Sequence, residues 1–527
     1  MKHMKIITAD EAVAQIRDGD TVAHGGFVSS GIPEALLAAL ERRWLNSATP
    51  RDLTYFYAGS AGNRDGRGGD RLAHKGMIKR VIAGHYNTAP ALGKCILSNE
   101  IEGYNLPQGT LSQLCRDIAG KKPGTITHVG LETYVDPRKG GGKLNEITTE
   151  DIVEVVTILG QEKLLYKAFP IHVALLRGSY ADEAGNVTLE REVGLNEVTA
   201  LAQAAKNSGG KVFVQVEKIV KEGTLDPRLV KIPRIYVDAL IVADPSEHEQ
   251  TYGCEYDPSL TGEVRIPVSS ITPPPLSAKK IIGRRGAMEL TENTVVNLGI
   301  GIPEFIAAVA NEEGIGDYMT LTVEAGPIGG IPAGGARFGA SVNPECILAH
   351  HEQFDYYDGG GIDLAFLGLA QTDQFGNINV SKFGPRLSGC GGFINITQSS
   401  KRVFFCGTFT ASGLETAVEN GKLKILKEGT EKKFLSMVEQ ITFSGDLASR
   451  LGQQVMYITE RAVFELRNDG MYLTEIAPGI DLKSQILDLM DFTPKMVGTP
   501  KVMDERIFRD TLMGLKDRTD SQNTHQE

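Results

Sequence analysis

The chain carries one structural plan twice, and that duplication limits what it can fold into more than any other feature. Residues 18–40 read DGDTVAHGGFVSSGIPEALLAAL and residues 292–310 read ENTVVNLGIGIPEFIAAVA, so Ile32-Pro33-Glu34 recurs as Ile302-Pro303-Glu304 after 302 − 32 = 270 positions. Each copy runs from a β-branched strand through glycines into an apolar helical stretch. A second pair matches VALLRGSYADEAGNVTLE (173–190) to LAFLGLAQTDQFGNINVS (364–381), placing Asp182 on Asp373 and Asn186 on Asn377. Both of those shifts are 191, as is the shift from Val212-Phe213-Val214 to Val403-Phe404-Phe405 (403 − 212 = 191). Several elements therefore move together, as duplicated units do. The drop from 270 to 191 means that the first copy holds 79 additional residues, expected within about 60–160. A lid or substrate cap is the expected use of that insertion.

Alternating strand, glycine turn and helix predict an α/β fold of two related open domains, each around a largely parallel sheet, with Pro303 as the first residue of its helix. Ligands of such sheets sit beyond the carboxyl ends of the strands. The segment VRIPVSSITPPPLSAKK (264–280) has three consecutive prolines, which hold the backbone extended. It divides the chain into a first domain over 1–265, a linker over 266–277 and a second domain over 278–515. The polar residues 516–527 are expected to form a disordered tail.

A chain of 527 residues exceeds one ordinary core, so two domains also suit its length. A formal net charge of −11 argues against nucleic acid, whose binding depends on many cations displacing counterions. Lys279, Lys280, Arg284 and Arg285 form a local basic cluster, read here as a solvated face, with a phosphate site as the alternative. The six cysteines make no CxxC pair, which fits reduced thiols and a cytoplasmic location. The N-terminus lacks the apolar core of a signal peptide, and no apolar run is long enough to span a membrane.

Three glycine-dense stretches mark where backbone N–H groups can approach a phosphate or an oxyanion: NLGIGIPE with Gly299 and Gly301, VEAGPIGGIPAGGARFG, and SGCGGF with Gly391 and Gly392. NLGIGIPE departs from the GxGxxG dinucleotide pattern at Glu304, and there is no GxxxxGK[ST], HExxH or GxSxG. No metal site is expected, and the adjacent His350 and His351, assigned to an extended strand, are read as structural. Glu324 follows Leu321-Thr322-Val323 and precedes Ala325-Gly326-Pro327, which sets a carboxylate at a strand end. Two readings stand for it: a hydrogen-bonding partner of loop amides, or a catalytic carboxylate.

The stretch DGDTVAHGGFVSSGIP resembles the first signature of the family I CoA transferases, with Gly25, Gly26 and Phe27 followed by Gly31 and Pro33, although His24 stands where an apolar residue is usual. Val323-Glu324-Ala325-Gly326 resembles the second signature, which in 3-oxoacid members reads Ser-Glu-Asn-Gly. DLTYFYAGS, RVIAGHYNTAPALGK, LPQGTLSQL, GLETYVDPR, CEYDPSL, SAKKIIGRRGA, QFDYYDGGGID and CGGFINI carry the likeness to the acetate and propionate branch, from about residue 4 to about residue 515. The resemblance implies two related α/β domains with the active site between them, Glu324 as nucleophile, Gly391 and Gly392 amides holding the thioester oxygen, and Gln108 near the substrate. It implies reversible CoA transfer between short-chain acyl-CoA and free carboxylates, through an acyl-glutamyl anhydride and a glutamyl-CoA thioester. Coenzyme A is then a co-substrate, no cofactor is bound permanently, and the assembly is a homo-oligomer, with a tetramer favoured. An acyl-CoA hydrolase or a 3-oxoacid CoA-transferase on the same scaffold, and a non-enzymatic sensor, are the competing readings.

Overall fold

The computed structural model describes residues 4–267 and 273–516. The expected tail beyond Lys516, and residues 268–272 of the expected linker, lie outside the described residues. The chain forms two compact units. The first takes in the residues up to Ile266 together with Val323–Asp358 and Ser381–Asn395; the second takes in Pro267–Thr322, Gly359–Val380 and the chain from Ile396 onward. Glu324, Gly391 and Gly392 come from the second sequence repeat, yet they belong to the first unit.

The sheet of the first unit has a parallel series in the order Ala239–Val242, Lys211–Val220, Val173–Asp182, Thr21–His24, Leu53–Tyr57, Ile78–Ala83, Glu102–Asn105. Parallel sheets covered on both faces need strands that are apolar on both faces. Thr21–His24 is buried throughout, as is nearly all of Val173–Asp182. Alternate side chains feed two separate cores. Ala23, Phe56, Ala174, Leu176, Val212 and Val214 enter one, while Val22, Tyr55, Val173, Leu175 and Phe213 enter the other. Each fully buried Leu or Val contributes about 1.5–3 kcal/mol, so a one-residue slip of any central strand would exchange the faces and be strongly disfavoured.

In the second unit the parallel order is Gln454–Ile458, Arg402–Cys406, Leu364–Gly368, Thr294–Leu298, Met319–Thr322. This is the order of the first five strands above. The register repeats as well: Val173 pairs with Lys211 and Leu364 with Arg402, both members shifted by 191 (364 − 173 and 402 − 211). The turns after these strands match bond for bond. Asp182 Oδ1 accepts from the Asn186 backbone N–H at 2.9 Å and Oδ2 from its side-chain amide at 3.0 Å; Asp373 and Asn377 make the same pair at 3.1 and 3.0 Å. An antiparallel pair, Ala462–Arg467 and Gly470–Ile476, continues the second sheet beyond Gln454–Ile458.

Both Ile-Pro-Glu motifs open helices, Glu34–Ser47 and Glu304–Glu312, with the proline as N-cap, one position earlier than the spacing suggested. Much of the segment around 60–160 is built into the body of the first unit. Ile78–Ala83 and Glu102–Asn105 lengthen its parallel sheet, and Gly124–Thr127, Gln161–Lys167 and Val153–Ile158 form a small antiparallel sheet. The basic cluster is not the solvated face expected. In helix Ala278–Ala287, Lys280, Arg284 and Arg285 are buried; Lys280 pairs with Glu312, Arg285 with Glu289 and Glu475, and Arg284 donates to the carbonyls of Arg506, Ile507, Arg509 and Thr511. Arg284 thus ties the helix to residues 506–511, while Lys280 and Arg285 are spent on buried ion pairs. Among the described residues no helix is long and apolar enough to cross a membrane, and all six cysteines are free thiols.

Candidate active site

Glu324 stands in a tight turn at the end of the strand Met319–Thr322, closed by the Gly326 N–H donating to Val323 O at 2.9 Å. The Glu324 side chain is largely, not fully, buried, and its carboxylate accepts from the Gly392 backbone N–H. Glycine is required at 392 by contact rather than by torsion, because a Cβ there would overlap Glu324 Oε2 outright and lie 2.9 Å from Phe354 Cζ. The preceding Gly391 has φ +52°, donates its N–H to Gly84 O at 2.8 Å and accepts the Gln108 N–H at 2.9 Å. Gln108 and Gly391–Gly392 are thus one hydrogen-bonded cradle beside the carboxylate.

Burial raises the Glu324 carboxyl to about 7, against the opposing pull of the Gly392 N–H. Between the ordinary glutamate value and about 7, the folded protein keeps a proton that the unfolded chain releases, so this group's contribution to stability is present at low pH and lost as pH rises through that window. Glu324→Gln, which cannot ionise, is therefore expected to match the native protein near pH 4.5 and exceed its stability at pH 8, by on the order of 2 kcal/mol. Denaturant unfolding of both proteins at the two pH values measures it; a variant less stable at pH 8 than at pH 4.5, relative to the native protein, contradicts the sign.

Three helix starts meet at this point. Gln108 is the first residue of Gln108–Ala119, His350 the first of His350–Asp358, and Glu197 the N-cap of Val198–Asn207. Gln108 Nε2 lies 2.8 Å from His350 Nε2, and His350 Nδ1 lies 2.9 Å from Glu197 Oε2. All three are buried. The positive ends of these helix dipoles favour negative charge, which suits both a carboxylate and an oxyanion. His350 corrects one expectation: the residue opens a helix, not a strand, and its ring links Gln108 to Glu197. Neither His350 nor Glu197 carries a local motif that would have singled it out.

Of the other predicted positions, Phe27 is buried and stands edge-on to His350, with centroids 6.0 Å apart. Gly25 leaves room for Val198 and Glu197, and Gly26 for Ile32. Gly299 and Gly301 belong to the second unit, in the turn after Thr294–Leu298; Gly299 packs on Leu367, and Gly301 has φ +88° with open space around it. His24, the departure from the first signature, is a neutral core histidine. Its Nε2 meets Tyr55 Oη and its Nδ1 meets Gly25 O, both at 2.7 Å, and burial lowers its pKa.

Known proteins resemble the chain over nearly its whole length. A family model described as Coenzyme A transferase matches residues 6–243. The chain is 47% identical over 517 residues to caffeate CoA-transferase of Acetobacterium woodii, spanning 97% of this chain and 98% of that one. It is 43% identical over 512 residues to acetate CoA-transferase YdiF of Escherichia coli K12, spanning 97% and 96%. Crystal structures of the acyl-CoA transferase YdiF of E. coli O157:H7 superimpose with TM-scores of 0.92 for the apoenzyme and 0.90 for a thioester complex with CoA, each 42% identical and covering 97% of both chains.

Proposed function

The chain belongs to the coenzyme A transferase family, and from that premise we propose that it exchanges coenzyme A between short-chain acyl-CoA, such as propionyl-CoA or acetyl-CoA, and a free short-chain carboxylate, with Glu324 as the covalent carrier. The observation that carries this reading is a lone, mostly buried carboxylate hydrogen-bonded to the Gly392 N–H. Ionised Glu324 attacks the thioester carbonyl and CoA thiolate leaves, giving an acyl-glutamyl anhydride. The thiolate then attacks the glutamyl carbonyl and expels the free acid as its carboxylate, leaving glutamyl-CoA. The acceptor carboxylate runs the two steps in reverse. No net proton is gained or lost.

Each tetrahedral oxyanion needs donors, and we assign that role to the Gly392 N–H and the Gln108 amide, each worth about 3 kcal/mol of barrier. In water a glutamate and a short carboxylic acid are alike in acidity, so the exchange is nearly thermoneutral. The site changes that balance. Its carboxylate is less well solvated than free acetate, whereas the neutral glutamyl thioester bears no such penalty, so burial favours attack and the covalent intermediate. Phe354, against the open face of Gly392, and Phe27 support a short, apolar acyl group. Free thiols support a reducing, cytoplasmic setting, and family membership supports a homo-oligomer, with a tetramer favoured.

Incubation with propionyl-CoA, proteolysis and mass spectrometry test the carrier: CoA mass is expected on the peptide containing Glu324. Its absence under conditions of active exchange would overturn the assignment. Free acetate added to the same reaction should yield acetyl-CoA; release of CoA unaffected by acetate would mean hydrolysis instead.

A further inference from the structure

The Gln108 amide is held at its nitrogen alone. Its Nε2 meets His350, while its Oε1 is buried without a hydrogen-bond partner, 3.5 and 3.7 Å from where a Cβ would stand at Gly59 and Gly391. The two ends of an amide have opposite effects on an oxyanion: an N–H stabilises it and a carbonyl oxygen repels it. Something must therefore fix which end points where, and the surroundings of Gly59 and Gly391 supply no donor to Oε1 that would do it.

His350 is itself rigidly placed. Its backbone N–H donates to Asn196 O at 3.0 Å, its ring is flanked by Phe27 and by Phe354 at 5.3 Å, and its Nδ1 is 2.9 Å from Glu197 Oε2. A carboxylate only accepts, so Nδ1 carries a proton, and in the neutral ring Nε2 is left as an acceptor. An acceptor at Nε2 can be met only by the nitrogen end of the amide.

We propose that Glu197 and His350 are positioning residues for the exchange: Glu197 holds the imidazole proton on Nδ1, and the bare Nε2 captures one N–H of Gln108, leaving the other to donate to the reacting carbonyl. The proposal rests on the transfer reaction proposed above. It explains why a buried carboxylate, an imidazole and an amide are strung together at three helix starts when none of them is the nucleophile.

A double-mutant cycle tests it. Glu197→Gln, close in shape to the native residue, removes the tautomer choice; kcat is expected to fall roughly 10–100-fold, the usual cost of losing an orienting partner, with KM within about two-fold by the same reasoning. Gln108→Ala should cost about 100–1,000-fold. In the Gln108→Ala background Glu197→Gln should then cost less than about three-fold more, because it acts through a group already gone. His350→Gln, which can present an amide oxygen where Nε2 stands, should recover at least ten-fold over His350→Ala, a recovery that a mere packing role would not give. Additive losses in the cycle, or a change confined to KM, would overturn the proposal. CoA mass on Glu324 in the native enzyme together with additive losses sinks only the positioning role; absence of that adduct sinks the carrier itself.

Discussion

Exchanging Glu324 for glutamine is expected to end turnover, lowering kcat by about 10,000-fold or more, the scale seen when a covalent nucleophile is removed. The amide is a poor nucleophile and cannot form the anhydride, so neither the acyl-enzyme nor the thioester can follow. Folding should not suffer, since the carboxylate costs stability above pH 7 and its neutral replacement does not. Acyl-CoA should still bind, and the variant should carry no CoA mass. The native enzyme should lose kcat/KM as pH falls below about 7, because burial raises the Glu324 carboxyl to that value and only the ionised form attacks. Exchange assays across pH 5.5–8.5 and intact-protein mass spectrometry together decide the matter. Retention of activity within ten-fold by Glu324→Gln would refute the carrier role.

The duplicated plan was legible because it rests on local chemistry. The Asp182-to-Asn186 and Asp373-to-Asn377 turns recur in the same register, and the 191-residue shift in sequence reappears as identical strand pairing. At Glu324 the residues themselves left two readings open, a partner of loop amides or a catalytic carboxylate, and only the resemblance singled out the second; the carboxylate does accept from a loop amide, the Gly392 N–H. What sequence left hidden was assembly at a distance. Gln108, Glu197 and His350 are separated by 89 and 153 positions (197 − 108 and 350 − 197), and each looks ordinary in its own segment. They meet only because three helices begin at one place. The basic cluster misled in the opposite direction. Four cations in seven residues resemble a solvated face, but three of them, Lys280, Arg284 and Arg285, are buried, and the acids and carbonyls that meet them come from residues 289–312 and 475–511.

The two copies also diverge at the start of the helix that each Ile-Pro-Glu motif opens. Glu34 is buried and held by Arg67, Arg71 and the Tyr252 hydroxyl, whereas its repeat partner Glu304 is exposed. Arg67 and Arg71 come from the additional segment, so the insertion that lengthened the first sheet also fixed the helix start next to Gly25–Phe27.

Gly392→Ala should be as damaging as the loss of the Gln108 amide, at about 100–1,000-fold in kcat, despite adding one methyl group. The new Cβ would occupy the place of Glu324 Oε2 and press on Phe354. Phe354 is fully buried between His350 and Tyr357, so the ring has nowhere to go. The carboxylate is the freer of the two neighbours and must swing away, abandoning the Gly392 N–H from which it accepts and to which we assign the oxyanion. One substitution thus removes a donor, worth about 3 kcal/mol, and misdirects the nucleophile. The native secondary structure should survive, because the backbone at 392 is not in the left-handed region and alanine can adopt it. Single-turnover formation of the CoA adduct should slow in step with kcat while acyl-CoA affinity stays within a few-fold. Were Gly392→Ala to form the adduct at the native rate, the Gly392 N–H would have no part in the reaction, and the cradle built by Gln108, Gly391 and Gly392 would be a structural clasp rather than an oxyanion site.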